Sequence, residues 1–320
     1  MTRIELAKQD APLVSVMIVA YQAREVIDDC LRSIMQSDTE ASIEVLLIDN
    51  GTDGTGNLVA ENYPAVKIVP TRGNIGFGAG NNAIAEFAKG KYLLLLNPDT
   101  IVEPGAIDAL LSFARERDDA LAWGGLIKTP NGTPDVSNFL RLPTLEQLLY
   151  AALGLERLYT RKNAPDDANA ERTVEALCGA FFMIRLLDYR RFGGFDESFF
   201  LYSEEMDLFA RIANEGGTVL TTPASGIVHL IGTSGTMSEG RAIFKAKGLM
   251  HFARKHWSAP KVVAAAALIW LAAFERSLVG LTRCDRSSRI AQLGKVSWAI
   301  CRRPSEWIKG YSNRNSGYSE

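Results

Sequence analysis

Cysteine and histidine are scarce in this chain, four and three among 320 residues, and their scarcity removes whole classes of chemistry. Cys30, Cys178, Cys284 and Cys301 are widely separated and form no CxxC pair, so neither a zinc ribbon nor a dithiol redox centre is indicated, and a reducing compartment is expected. His251 and His256 are five residues apart, a spacing that does not stack two metal ligands on one helical face. Ser225 and Ser234 lack the GxSxG elbow of a serine hydrolase. No loop ends in GK[ST], and none matches the dinucleotide fingerprint GxGxxG, which argues against a Walker A site and a nicotinamide dehydrogenase. The amino-terminal MTRIELAKQDAP has no apolar core of the secretory kind. The longest apolar run, VVAAAALIWLAAF at 262–274, has thirteen residues, whereas a membrane span needs about 20. No compact Lys/Arg cluster is interleaved with aromatics, so nucleic acid is not an expected partner.

What remains is ordinary globular material, 47% hydrophobic and 22% charged. Its net charge of −2 conceals an uneven distribution. Residues 251–320 carry twelve Lys/Arg against four Asp/Glu, a balance of +8, which leaves −10 on the preceding 250. Such a tail suits a polyanion or an anionic membrane surface.

Apolar runs at 14–21, 43–50, 66–70 and 91–97 predict strands, with helices between them near 25–36 and 80–88. This alternation predicts an α/β fold built on a mostly parallel sheet covered on both faces, with ligands beyond the carboxyl ends of the strands. A helix is expected after Pro104, strand and turn at 123–133, and a mobile polar loop at 160–174. An apolar run at 176–185, a helix over 204–214, a last strand region at 217–230 and a helix over 240–257 follow. Two or three further helices are predicted beyond it.

Four segments carry candidate chemistry. LLLLNPDT, 93–100, runs from an interior strand straight into Asp99. Such a carboxylate can hold Mg²⁺ or Mn²⁺, or the Asn-Pro-Asp turn can cap the next helix. TRGNIGFGAGNNA, 71–83, has four glycines and three asparagines ahead of a helix, fitting either a close ligand approach or a structural turn. SEEMDLFAR, 203–211, gathers Glu204, Glu205 and Asp207 at a helix start, with Arg211 four residues beyond Asp207. Capping explains these acids, and so does a general base acting on a hydroxyl. His229, at a strand end before GTSGT, gains meaning only if Asp99 lies beside it.

Taken in order, VSVMIVAYQ, LLIDNGTDGT, NIGFGAGNN, LLLLNPDT, FGGFDESFFLYSEEMDLFAR and IVHLIGTSGT resemble the family 2 glycosyltransferases, inverting enzymes of the GT-A fold. The resemblance runs from about Val14 to His256. It implies that Asp49 contacts the base or ribose of a nucleotide-sugar donor, near Ala20 and Tyr21. Asn74 and Gly76 match the loop lining the donor cleft, and Asn82 its later asparagine. Asp99 matches the last acid of the metal-binding DxD motif, with Asn97 in place of the first. His229 resembles the histidine that completes the metal site or touches the diphosphate. Where the family commonly has Glu-Asp, this chain has Glu204-Glu205. Glu205 therefore falls on the catalytic base, Asp207 is the runner-up, and Arg211 organises the acids or helps hold phosphate.

The pattern looks most like bacterial enzymes that move L-rhamnose from dTDP-rhamnose in building lipopolysaccharide O-antigen, capsule or cell-wall linkers. A galactofuranosyltransferase using the UDP-sugar is the alternative, and a nucleotide-sugar-binding scaffold without catalysis is a second. The expected organisation is a catalytic domain over 1–257 and a helical extension over 258–320. A lipid-linked acceptor would place the protein in the cytoplasm, peripheral on the inner face of the membrane. The apolar helix, Arg276, Arg283, Arg286, Arg289, Arg302 and Arg303, and Trp298 and Trp307 would meet that surface. Packing on the catalytic domain or a homodimer contact accounts for the same helix.

Overall fold

VSVMIVA forms β1 (Val14–Ala20), and all seven of its residues are buried. The reason is visible in a computed structural model that describes residues 11–135, 141–164, 170–230, 237–281 and 289–311. β1 lies between β2 (Ile43–Asp49) and β4 (Tyr92–Leu96), parallel to both, and β3 (Val66–Val69) extends the block beyond β2. Side chains alternate between faces along a strand. Val14, Val16 and Ile18 of β1 join Leu94 and Leu96 of β4 in one core, while Met17 and Val19 join Leu93 and Leu95 in the other. The four leucines are therefore consecutive because both faces are covered.

Helices α1 (Ile27–Met35) and α4 (Ala106–Glu116) cover the first face; α3 (Phe77–Ala85) lies on the second. A helix α2 (Thr55–Asn62), which the sequence reading missed, joins β2 to β3. Beyond β4 the sheet becomes mixed. β8 (Phe181–Arg185) runs antiparallel between β4 and β6 (Ala122–Lys128), and β9 (Val219–His229) is parallel to β6. Short β5 (Thr100–Val102) and β7 (Arg172–Thr173) are antiparallel to β9. Among the described residues the sheet has nine strands, in the order β3-β2-β1-β4-β8-β6-β9-β5 with β7 also on β9. The order reverses between β1 and β4, and a ligand crevice is expected beyond the carboxyl ends at that point.

Helices α5 (Leu145–Ala152), α6 (Glu156–Lys162) and α7 (Leu186–Arg191) were not anticipated. The expected loop at 160–174 is thus α6 at one end and β7 near the other, with 165–169 outside the described residues. Helix α8 (Glu204–Asn214) occupies the predicted span, and α9 (Glu239–His256) follows the sheet.

The carboxyl-terminal region adds α10 (Ala259–Leu281), α11 (Arg289–Arg302) and a 3₁₀ turn at Pro304–Glu306. The thirteen-residue apolar run lies within α10, whose 23 residues are long and apolar enough to cross a membrane by length and composition. Trp307 does not face outward as expected; it is fully buried with α5, α9 and α10, and its indole N–H donates to Ile300 O. Arg276 pairs with Glu156, while Arg302 and Arg303 share Glu239. Arg283 and Arg286 lie outside the described residues, as does the side chain of Arg289. Cys30, Cys178 and Cys301 are free thiols, and Cys284 is outside the described residues.

Helices α10 and α11 cross at Gly280 and Gly294, where a Cβ on Gly280 would fall 2.6 Å from Gly294 Cα. Gly294→Val should force the helices apart and cost about 1–3 kcal/mol. Thermal denaturation would register this as a lowered Tm.

Candidate active site

Beyond β4 the chain turns through Asn97-Pro98-Asp99, with the Thr100 hydroxyl donating to Asn97 O at 2.8 Å. β5 then pairs with the end of β9 so that Thr100 faces His229, and Leu230 N–H donates to Asp99 O at 2.8 Å. This pairing brings His229 Nε2 to 3.3 Å from Asp99 Oδ2. That oxygen is buried without a hydrogen-bond partner, because the imidazole is close but not aligned to donate.

Residues 178–180 connect Asp99 with the acids of α8. Asn97 N–H donates to Ala180 O at 3.2 Å, and Gly179 N–H donates to Glu205 Oε1 at 3.3 Å. Burial pushes the Cys178 thiol up to about 12, helped by the negative charges of Glu205, Asp135 and Asp99. One thiol therefore feels three carboxylates brought from separate parts of the chain. Asp135 had drawn no attention in the sequence, where a single acid in a turn carries no signal. Among the described residues no three His, Cys, Asp or Glu side chains are grouped to hold a metal ion. Asp99 and His229 form a pair, and an orphaned carboxylate oxygen beside an imidazole suits a hard divalent cation whose other positions are filled by ligand oxygens and water.

Glu204 and Glu205 open α8 differently. Glu204 is buried with Oε2 unpartnered, and burial together with the Glu205 charge holds its carboxyl well above the usual range. Burial also raises Glu205, which is less enclosed. Tyr202 and Ser203, just before them, both adopt left-handed φ, 69° and 73°, a strain of about 1–3 kcal/mol each. The turn is held from outside. The Tyr311 hydroxyl donates to Leu201 O, and Gly248 of α9 lies so close that a Cβ there would be 2.3 Å from Tyr202 O.

Asp207 and Arg211 form the i,i+4 pair that their spacing suggested, and further contacts surround it. Asp207 is fully buried; Arg211 Nε lies 2.9 Å from Oδ2, while His256 Nε2 and Lys255 Nζ are each 2.8 Å from Oδ1. Burial would raise this carboxyl, but hydrogen bonds from His256 and Lys255 and the Arg211 charge hold it below the ordinary range. A base so neutralised has little tendency to take a proton. Arg211 also donates to the carbonyls of Phe192 and Gly194, tying the FGGF turn to α8 rather than facing a phosphate.

On the donor side, Ala20 and Asp49 are opposite one another at the ends of β1 and β2. Asp49 accepts from Gly51 N–H at 2.9 Å and Gly56 N–H at 2.7 Å, which shapes the loop into α2. Tyr21 is exposed at the rim. Asn74 Oδ1 accepts from Gly76 N–H at 3.1 Å, and Gly76 O accepts from Asn50 Nδ2 at 3.0 Å. Asn50 Oδ1 is buried and unpartnered. It is a second missed residue, although it follows Asp49 directly. Asn82, expected to line the donor cleft, acts as a clamp in the structure. Its amide donates to Phe195 O and Glu197 and accepts from Phe195 N–H and the Tyr189 hydroxyl.

Asn50 Oδ1, Asp99 Oδ2 and Glu204 Oε2 are the buried side-chain oxygens left without a partner among the described residues. Buried polar groups are almost always paired. Asn50 and Asp99 both follow carboxyl ends of the parallel block, the position at which such sheets receive ligands.

The family model "Glycosyl transferase family 2" matches residues 15–186. A Mycobacterium tuberculosis protein named N-acetylglucosaminyl-diphospho-decaprenol L-rhamnosyltransferase is 31% identical over 233 residues, covering 67% of this chain and 75% of that one. The Escherichia coli rhamnosyltransferase WbbL is 22% identical over 225 residues, 68% of this chain and 83% of its own. Among solved structures, the mannosyltransferase PcManGT from Pyrobaculum calidifontis, in complex with GDP-Man and Mn²⁺, superposes with a TM-score of 0.57 at 17% identity, covering 94% of this chain and 84% of that one. GalNAc-T7 with UDP, GalNAc and Mn²⁺ gives 0.58 at 16% identity over 95% of this chain, which spans 58% of that structure's chain. With a family model over more than half its length and this architecture, the chain belongs to glycosyl transferase family 2 and is a glycosyltransferase of the GT-A fold.

Proposed function

We propose that this glycosyltransferase moves L-rhamnose from dTDP-rhamnose to a hydroxyl of a lipid-linked glycan acceptor, with inversion, during bacterial cell-surface glycan synthesis. The single observation that carries the chemistry is that the Asn97-Pro98-Asp99 turn, with His229 beside Asp99, and Glu205 both reach the same short segment, 178–180, beyond β4. The names of the mycobacterial and E. coli relatives support the choice of sugar, and the former that of a diphosphate-linked acceptor.

In this reading the donor lies across the ends of β1, β2 and β4. Asp49, Ala20 and Tyr21 bound its base and ribose, and Asn50, Asn74, Gly76 and Asn97 line the path to the diphosphate. Asp99 and His229 would hold Mg²⁺ or Mn²⁺, which when bound neutralises charge on the diphosphate leaving group. Glu205 takes the proton from the acceptor hydroxyl as that oxygen forms its bond to the anomeric carbon. The bond from that carbon to the diphosphate oxygen breaks on the opposite face, so no covalent enzyme intermediate forms. Gly179 N–H, bonded to Glu205 Oε1, orients the carboxylate toward the acceptor side. The peripheral membrane contact belongs to this proposal, since a lipid-linked acceptor is reached at a bilayer surface.

A transfer assay with dTDP-rhamnose and UDP-galactofuranose, each with Mn²⁺, Mg²⁺ or chelator, tests the assignment; turnover of the galactofuranose donor alone would overturn the rhamnose reading. Glu205→Gln should lower kcat by about 10²–10⁴-fold, the usual contribution of a general base, with donor affinity retained. Asp207→Asn should instead act on folding. It strips a buried carboxylate from the Arg211 and Lys255 cations and from its His256 contact, at a cost of about 3–5 kcal/mol, read as a large fall in Tm. Asp99→Ala should abolish the metal-dependent part of donor binding measured by calorimetry.

The pH profile has a fixed sign. A base acts deprotonated, and burial raises Glu205. The acid limb of kcat/KM should therefore lie above the ordinary glutamate range and disappear in Glu205→Gln. Glu204 is raised further, so the stability it contributes is complete at low pH and is lost as pH rises through its folded value. Glu204→Gln should raise Tm at pH 8 and change it little at pH 4.

A further inference from the structure

One face of α10 is apolar and uncovered along its length. Val263, Ala267, Trp270, Phe274, Leu278 and Leu281 recur at helical spacing, none of them buried, with Val263 70% and Leu281 81% exposed. At about 1.5 Å per residue this stripe is about 27 Å long. The opposite face is not available to lipid. Ala265, Ile269, Ala272, Ala273, Ser277 and Gly280 are buried, Ala265 and Ile269 in a core shared with α5 and α9, and Gly280 against α11. A helix half enclosed by its own protein is in position to lie in a bilayer surface, although its length would allow a span.

The stripe has a neighbour the sequence reading did not use. Leu149, Leu153, Leu155 and Leu158 of the α5–α6 hairpin are all exposed, Leu153 by 58% and Leu158 by 55%. None of α6 is buried. The hairpin is fixed to α10 where that helix carries its two acidic and basic side chains past Lys261. Glu156 pairs with Arg276, and a Cβ on Gly154 would lie 3.1 Å from the Glu275 carboxylate. Those charges are thus turned toward the hairpin, not onto the stripe.

We propose that the α10 stripe and the α5–α6 leucines form one composite surface that seats the protein in the plane of an anionic bilayer leaflet. This deepens the membrane contact proposed above by adding a segment from the catalytic half of the chain. Charge complementarity selects the occupant. Arg157 and Arg161 on α6, Lys261 on α10 and Lys295 on the neighbouring α11 are exposed, and among the described residues none has an acidic partner. Trp298 on α11 is also exposed, and tryptophan favours the headgroup level of a membrane. A second copy of the chain would bring these cations against their own kind, whereas anionic headgroups neutralise them.

Flotation of the full chain with vesicles of phosphatidylcholine, with and without phosphatidylglycerol, tests the surface. Binding should be about tenfold stronger with the anionic lipid. Leu153→Asp/Leu158→Asp and Leu278→Asp/Leu281→Asp should each weaken it about fivefold or more, with Tm and nucleoside diphosphate binding retained. No flotation by the wild type overturns the proposal, and so does unchanged flotation by the Leu153/Leu158 variant. Light scattering that shows a dimer split by the same variants, without vesicle binding, assigns the face to a second copy instead. None of these readings requires turnover, so they stand apart from the transferase assignment.

Discussion

A buried carboxylate oxygen with no partner persists only on a backbone that has nowhere else to go, and β4 supplies that backbone for Asp99. The strand is hydrogen-bonded on both sides, to β1 and to β8, and its leucines alternate into two cores. Desolvating such an oxygen costs free energy, and the surrounding apolar burial offsets it. The reward is a polar tip whose position is set by the sheet, with β9 delivering His229 to the same point through its pairing with β5. Preorganisation of this kind is what an electrostatic site needs, because a group that moves to meet its ligand gives up part of its effect.

The acids of α8 show how the same residue type acquires opposite roles from its surroundings. Glu204, Glu205 and Asp207 lie within four residues at one helix start. Asp207 meets the carboxyl end of α9, where Lys255 joins Arg211 in neutralising it and His256 Nε2 lies within hydrogen-bond distance. The two glutamates meet a glycine-bearing loop and aromatic rings, with no ion pair to a cation among the described residues, and burial raises both. One acid is thereby turned into a bolt for the FGGF turn, while burial holds its two neighbours above the ordinary carboxylate range. Their placement requires two left-handed residues, held by α9 and by Tyr311 from the far end of the described chain.

The carboxyl-terminal helices are therefore joined to the catalytic region through more than a linker. Trp307 fills a core shared with α5, α9 and α10, and Tyr311 braces the turn ahead of the glutamates. That packing explains why several features expected at a membrane are inside or paired, and why the apolar face that remains outward is shared between α10 and α5–α6.

Strand periodicity, the order of the motifs and the residues at strand ends were legible in the sequence, because these properties are local: alternation, run length and turn chemistry act within a few residues. β1, β2, β4 and α8 lie where those signals place them. Short helices such as α2, α6 and α7 escaped because their stability comes from neighbours rather than from a periodic face. Asp207, Arg211 and Asn82 entered the candidate site through the family resemblance, and only the packing of α9 and of residues 189–197 shows that they also brace the structure. Asn50 was invisible for the converse reason, since nothing in a lone polar residue tells whether its oxygen will be buried without a partner, and Asp135 because a single acid in a turn does not reveal which distant groups it will face. The sequence by itself determined which groups stand at the ends of which strands. Tertiary structure alone decided which charges are neutralised, because neutralisation depends on contacts between residues far apart in the chain.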